Sequence, residues 1–255
     1  MKMIVVCYKW VRDDADIRTT PSRALDMEKA GFKISEYDKN TIEAGVRLKT
    51  DADAVTLVGV TCGPNCSAST KDALSRGLDA VHYCEAVQAN ADNRATARTL
   101  SAMIEQLGDV DVVLCSEGSA DEYAQQTAPC LATLLDWPCV TYAEKIVTCG
   151  DKLRISRALE DGVETVELPL PVVISAVPAI CEAPIPSVKA ILGAKRKPAT
   201  ESPSPDTGLL EPLLVEISTF APKVNRKHQR LNPDGVSLEE AASNLKKLLT
   251  ADSVL

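Results

Sequence analysis

The stretch VDVVLCSEGSADEYAQQTAPCLATLL, Val110 to Leu135, reads in three parts. An apolar run of strand length, VDVVLC, leads into the polar segment Ser116 to Pro129, and the apolar run CLATLL of helical character follows. A polar loop between a strand and a helix lies where an open α/β sheet keeps its ligand, at the carboxyl end of a strand. This loop has one glycine, Gly118, and no lysine, so it is neither a P-loop nor a dinucleotide fingerprint.

The same alternation extends outward. Strand-like runs at MIVVCYK, AVTLVGV, AVHYCE and VDVVLC are separated by segments of helical period. Before the fourth run, Ala97, Leu100, Ile104 and Leu107 mark one helix face, and Asp92 stands ahead as its N-cap. The helix near SASTKDALSRG starts in serines and stops at Gly77. Strand alternating with helix predicts a parallel sheet wound with right-handed crossovers. After Trp137 the runs VTYAEKIV, KLRISRAL, ETVELPL and PVVISAV crowd together around the turns CGDK and EDG, which predicts antiparallel hairpins added to that sheet. Pro169 and Pro171 favour a sheet edge or a strand end.

From Pro178 onward the composition shifts. APIPSVKAILGAKRKPATESPSPDTG carries five prolines and predicts an exposed loop running into a linker. A last helix, SLEEAASNLKKLL, has serine at its cap and glutamate three residues on. The expected organisation is an α/β body over residues 1–197 and an extended arm over 198–255, too poor in apolar residues for a core of its own.

Bulk properties exclude several classes. The 255 residues, 45% hydrophobic and 25% charged, suffice for a substantial core. The net charge of -8 argues against nucleic acid. The cations Lys195, Arg196 and Lys197, and the stretch KVNRKHQR from Lys223 to Arg230, read as solvated faces or as contacts to an anionic partner. The apolar run of MKMIVVCYKW is too short for a leader and reads as a first strand, and no window is long enough for a membrane span. The nine cysteines form no C-x-x-C pair, and His82 and His228 have no cysteine at ligand spacing. No metal site is expected, and reduced thiols fit a chain that stays in the cytoplasm.

Four segments converge at the strand ends of such a sheet: CYKW, the SEYDKN turn, VTCGPN and the loop after VDVVLC. The loop opens a helix whose free N–H groups attract an anion, with Gln125, Gln126 and Thr127 as further donors. Those residues describe a nucleotide phosphate seat, and they equally describe a polar helix start with ordinary caps.

Five blocks in order resemble the beta subunit of electron-transfer flavoproteins: VVCYKWVRD; KISEYDKNTIEAGVRLK; VTCGPNC with KDALSRGLDA; the loop followed by LDWP; and IPSVKAILGAKRKP. The sequence is most similar to the Fix-type branch associated with anaerobic carnitine metabolism. The resemblance implies a Rossmann-like α/β nucleotide-binding fold that pairs with a larger alpha subunit. It implies an electron carrier, not an enzyme: FAD held mainly by the alpha subunit exchanges electrons with an acyl-CoA dehydrogenase or reductase. Ferredoxin or a quinone reductase are further candidate partners. In the beta crevice the family holds AMP, or a second FAD in electron-bifurcating members. A free-standing nucleotide-binding domain is the rival reading.

Carried over residue by residue, the nucleotide contacts fall on Cys7, on Ser35, Glu36, Tyr37 and Asp38, and on Cys62. They continue through the loop at Glu117, Gly118, Ser119, Ala120, Asp121, Glu122, Tyr123, Ala124, Gln125, Gln126, Thr127 and Ala128. By resemblance, Cys7 gives adenine close access to the first strand, and Asp38 accepts from a ribose hydroxyl or the adenine amino group. Tyr123 stands where aspartate is common, and Ala128 where glycine is usual. Ser35 and Glu36 replace a frequent asparagine-proline pair, and Asp14 stands where several members have tyrosine. Tyr37 is either the aromatic beside the alpha subunit's flavin or plain core. The proline-rich loop resembles the segment that docks on the dehydrogenase, with Ile185, Pro186, Ser187 and Val188 at the contact and Val188 as its anchor, where many members have leucine.

Overall fold

The computed structural model describes residues 1–52, 54–205, 212–224, 231 and 235–254. The chain begins with β1 (Met3–Cys7) and β2 (Trp10–Arg12), followed by β3 (Arg18–Thr19), β4 (Leu25–Asp26) and β5 (Phe32–Ile34). Then come α1 (Glu36–Thr50), β6 (Thr56–Cys62), α2 (Thr70–Ser75), β7 (Ala80–Cys84), α3 (Asn93–Leu107), β8 (Val110–Ser116) and α4 (Thr127–Leu135). The meander β9 (Cys139–Cys149), β10 (Lys152–Leu159) and β11 (Gly162–Pro169) precedes β12 (Val172–Ala176), α5 (Val188–Ala194), β13 (Ala199–Glu201) and α6 (Leu238–Ala251).

One sheet organises the molecule, in the order β11-β10-β9-β12-β8-β1-β6-β7-β13. From β9 to β13 every neighbouring pair is parallel, and β10 and β11 are added antiparallel at one edge. The expected Rossmann-like class is therefore the observed one. Both faces are covered, and alternation along β1 shows how: Ile4 and Val6 join a core with Ile42 and Leu48 of α1 and Leu74 of α2, while Val5 and Cys7 join a second core with Leu100 and Ile104 of α3 and Leu131 of α4. Strands covered on both sides read as continuous apolar runs, which explains MIVVC and VDVVLC.

Local signals fall where the sequence places them. Asp92 Oδ1 accepts from Ala95 N at 2.9 Å and caps α3, and Ser237 caps α6 through Glu240 N. Beyond α2, Gly77 has φ +113°, a conformation that favours glycine. Pro169 ends β11, the outer strand of the meander.

Three expectations need correction. PVVISAV is not a hairpin strand: β12 is parallel to both β8 and β9, and all five of its residues are buried. A short, nearly all-apolar run that is buried throughout belongs in the middle of a parallel sheet, and its closeness in sequence to the meander hides this. The proline-rich segment is not a plain loop running into a linker, because it contains α5 and then β13, which pairs parallel with β7 and extends the sheet beyond residue 197. SEYDKN is not a turn: Ser35 precedes α1 and the remainder is its first turn and a half.

Candidate functional site

The chain leaves β1 toward β6 on one side and returns through β8 on the other, so the order of strands reverses between β1 and β8. Crossovers diverge at such a point and leave a crevice at the carboxyl ends. A cleft open to solvent lies there. Its walls are the end of β1 (Cys7 to Trp10), the segment after β6 (Cys62 to Pro64), the segment from Val87 to Thr96, and the loop from Ser116 to Thr127.

The loop is held in shape by specific bonds. Ser116 Oγ lies 2.5 Å from Asp38 Oδ1 and 2.8 Å from the carbonyl of Gly118. Ala120 N donates to Ser35 Oγ at 3.1 Å, and Ser35 makes no side-chain cap bond to its own helix. Lys9 Nζ pairs with Asp121 at 2.9 Å and with Glu122 at 3.3 Å. Tyr123 folds back over Gly118, its hydroxyl donating to Glu117, and a Cβ at residue 118 would stand 2.6 Å from the Tyr123 ring. That contact explains the loop's single glycine. Tyr123 and Gln125 both adopt positive φ, 47° and 58°. Non-glycine residues in that region carry strain that surrounding contacts must sustain.

Asp38 is the electrostatic centre of this wall. It is 3% exposed, and Oδ2 accepts from Lys9 N at 2.8 Å. Burial raises its pKa to about 7, against the opposing effects of Ser116, of the Lys9 N–H and of the Lys9 charge. Ser116 has one proton and two acceptors in reach, so a proton on Asp38 lets Ser116 donate to Gly118 while it accepts from the acid. For Lys9, burial acts against the charge, and Asp121 and Glu122 outweigh it, so its pKa is raised.

Cys7, Cys62 and Cys115, from three neighbouring strands, also line the cleft. The Cys115 thiol and burial hold Cys7 well above the usual thiol range, and burial does the same for Cys62. These are small, polarisable side chains, suited to contact with a flat apolar ring.

Of the residues expected at a site, Cys7, Asp38, Cys62, Glu117, Gly118, Ser119, Glu122, Ala124, Gln125 and Thr127 line the cleft. Others stand behind its walls. Ser35 and Asp121 brace the loop, as above. Gln126 accepts from Asn93 Nδ2 at 3.3 Å, and Ala128 is buried in the core beneath α4. Glu36 pairs with Lys39 at 2.7 Å on the outer surface of α1. Tyr37 meets Tyr123 with ring centroids 5.4 Å apart, half-buried and not part of the central core. Asp14 pairs with Lys33 at 2.5 Å. The segment Val87 to Thr96 was missed. Its signal was available: it follows the carboxyl end of β7 and precedes a capped helix, the same context that marked the loop after β8.

The expected docking segment lies elsewhere. Ile185 is 94% and Val188 74% exposed, and Ile191 and Leu192 of α5 extend the apolar surface. Pro186 is half-buried, and Ser187 caps α5 through Ala190 N at 3.2 Å. Two anchors hold the segment: Asn40 bonds Pro178 O and Ala183 N, and Lys197 Nζ donates to Leu74 O and Leu78 O. Lys197 thus turns inward, while Lys195 and Arg196 face solvent. Residues 225–230 of the basic stretch, His228 among them, lie outside the described residues.

All nine cysteines are free, and no helix among the described residues is long and apolar enough to cross a membrane. Residues 24–207 match the family described as the electron transfer flavoprotein domain.

Proposed function

Because the chain belongs to the electron transfer flavoprotein domain family, whose members are electron carriers and not enzymes, we propose that it is the beta subunit of a heterodimeric electron-transfer flavoprotein. The observation that carries this reading is the cleft between the ends of β1 and β8, walled by one loop that opens α4.

The cleft's chemistry suits an adenine nucleotide, AMP or a second FAD. Cys7, Cys62 and Cys115 offer a flat ring a soft surface, and Thr127, Gln125 and the free N–H groups of α4's first turn face where a phosphate would sit. Asp38 borders the ribose position with both oxygens already engaged, so it acts mainly by fixing the shape of the wall. Tyr37 and Tyr123 form an aromatic pair beside Gly118, and on this reading Tyr37 is the aromatic set beside the alpha subunit's flavin. FAD, when bound, accepts electrons from one protein and yields them to another; this chain's residues bind, orient and shield.

The body extends to residue 197 and the arm from 198, with β13 laid back on the body. The arm lies on the alpha subunit, and the segment around Val188 docks on an acyl-CoA dehydrogenase or reductase. The Fix-type, carnitine-linked branch and a cytoplasmic setting complete the proposal. Against a free-standing domain stands the exposed apolar surface of the arm, where Val215 is 81% and Ile217 97% exposed.

Trp10 lines the cleft and reports on it. Titration of the purified chain with AMP or FAD is expected to change Trp10 fluorescence and saturate at one equivalent. A chain that binds neither nucleotide contradicts the reading.

A further inference from the structure

Asp92 uses both of its carboxylate oxygens, and they serve two different parts of the molecule. Oδ1 caps α3 through Ala95 N. Oδ2 accepts two consecutive backbone N–H groups of the arm, from Leu213 at 2.7 Å and Leu214 at 3.2 Å, 121 and 122 residues further along the chain. Burial opposes the charge on this carboxyl, and the three N–H donors outweigh it, so its pKa lies below the usual carboxylate value.

The position of Asp92 gives these bonds their meaning. Its neighbours Ala91 and Asn93, with Thr96 one turn on, line the cleft. Asn93 also reaches the loop, donating to Gln126 Oε1 at 3.3 Å. A continuous path of contacts therefore runs from the arm's backbone through Asp92 and Asn93 to the residue that starts α4. Further along, the arm is held again: Ala221 N donates to Arg23 O at 2.9 Å, and Phe220 forms a bridge with Ala24. Between these two anchors Val215 and Ile217 face solvent.

We infer that Asp92 is a positioning residue that latches the arm to the wall of the nucleotide cleft, so that arm placement and cleft occupancy are energetically linked. The latch rests on its own hydrogen bonds; the linkage rests in addition on the nucleotide reading proposed above. Linkage is reciprocal: if a nucleotide orders the start of α3, it strengthens the hold on the arm, and a held arm strengthens the cleft. The device places the apolar stripe Leu213 to Ile217 at a fixed position on the body before any partner arrives.

Asp92→Asn separates the two roles of the carboxylate. Asparagine caps a helix about as well as aspartate, yet it replaces one acceptor oxygen by an amide NH₂ that cannot accept from Leu213 and Leu214. Amide hydrogen exchange on the full chain, read by residue, is the test. In D92N the Leu213 and Leu214 amides are expected to exchange roughly tenfold faster or more, while the amides of α3 keep their protection. Asp92→Ser, which retains a capping hydroxyl, is expected to do the same and guards against a folding defect peculiar to asparagine. Saturating AMP is expected to slow exchange at Leu213 and Leu214 in the wild-type chain and not in D92N, and D92N is expected to bind AMP several-fold more weakly. Unchanged arm exchange in both variants overturns the latch. Faster arm exchange with unchanged AMP affinity overturns the linkage. A wild-type chain that binds no nucleotide defeats the nucleotide reading and the linkage with it, and the exchange comparison still decides the latch.

Discussion

In the α/β body, Ile4, Leu57, Leu114 and Ile174 are fully buried, whereas in the arm Leu213 is 70% and Ile217 97% exposed. Similar side chains obey opposite rules in one molecule. The body satisfies its apolar groups by packing helices on both faces of a sheet, and what it leaves open is the crevice where the strand order reverses. Helix α6 has no buried residue, and beyond β13 the described arm is held to the body by hydrogen bonds at Asp92 and Arg23. On the reading proposed above, the body holds a small ligand in that crevice and the arm is completed by another protein.

Removing the arm is the most drastic way to break this contrast. A chain ending after residue 205 retains β13 and both cores, so cooperative unfolding is expected to persist. Association with the alpha subunit, followed by light scattering, is expected to be lost. A truncated chain that still associates at full affinity would show that the body alone carries the interface.

Within the body, Gln125→Ala combined with Thr127→Ala is expected to weaken nucleotide retention by roughly 1.5 to 3 kcal/mol for each charge-assisted bond removed. Nucleotide content after purification measures it, and unchanged content would take the start of α4 out of the site.

Asp38 sharpens the contrast through pH. Its folded pKa, about 7, lies above the unfolded value of roughly 3.9, so the folded state binds more protons between those values. Stability contributed by the protonated acid is present below pH ~4 and lost as pH rises through about 7, on the order of 4 kcal/mol in all. Asp38→Asn mimics the protonated acid, accepting from Lys9 N and donating to Ser116 Oγ. Denaturant unfolding at pH 5 and pH 8.5 is expected to show a fall for the wild type that D38N lacks; equal falls in both would assign the pH dependence elsewhere.

The smallest effect is expected at Val188. Alanine there leaves the cap of α5 intact and removes two buried CH₂-sized groups from a docked complex, about 1.5 kcal/mol or roughly tenfold in affinity for the dehydrogenase. Nucleotide content should not change. Loss of nucleotide, or electron transfer at the normal rate with subsaturating partner, would remove Val188 from the docking surface.

The body was more legible in the sequence than the arm, for physical reasons. Runs such as MIVVC and VDVVLC need burial on both faces, and the cap Asp92 is local, so strands and helix starts could be read directly. The place of β12 could not, because its partners β8 and β9 are chosen by the whole sheet and not by the neighbouring hairpin. In the site, the loop after β8 announced itself by polarity between two apolar runs. The long-range bonds that shape it, Lys9 to Asp121 and Ser35 to Ala120, join residues more than eighty positions apart and leave no local pattern. The same holds for Asp92, whose cap is legible and whose second grip, on Leu213 and Leu214, is not.

The most direct test of the central claim is a count of nucleotides. The complex with the alpha subunit, purified without added cofactor and denatured, is expected to release one FAD from the alpha subunit together with one adenine nucleotide from this chain's cleft, either AMP or a second FAD, as separated by chromatography. Release of a single FAD and no second adenine nucleotide from a fully loaded complex would contradict it.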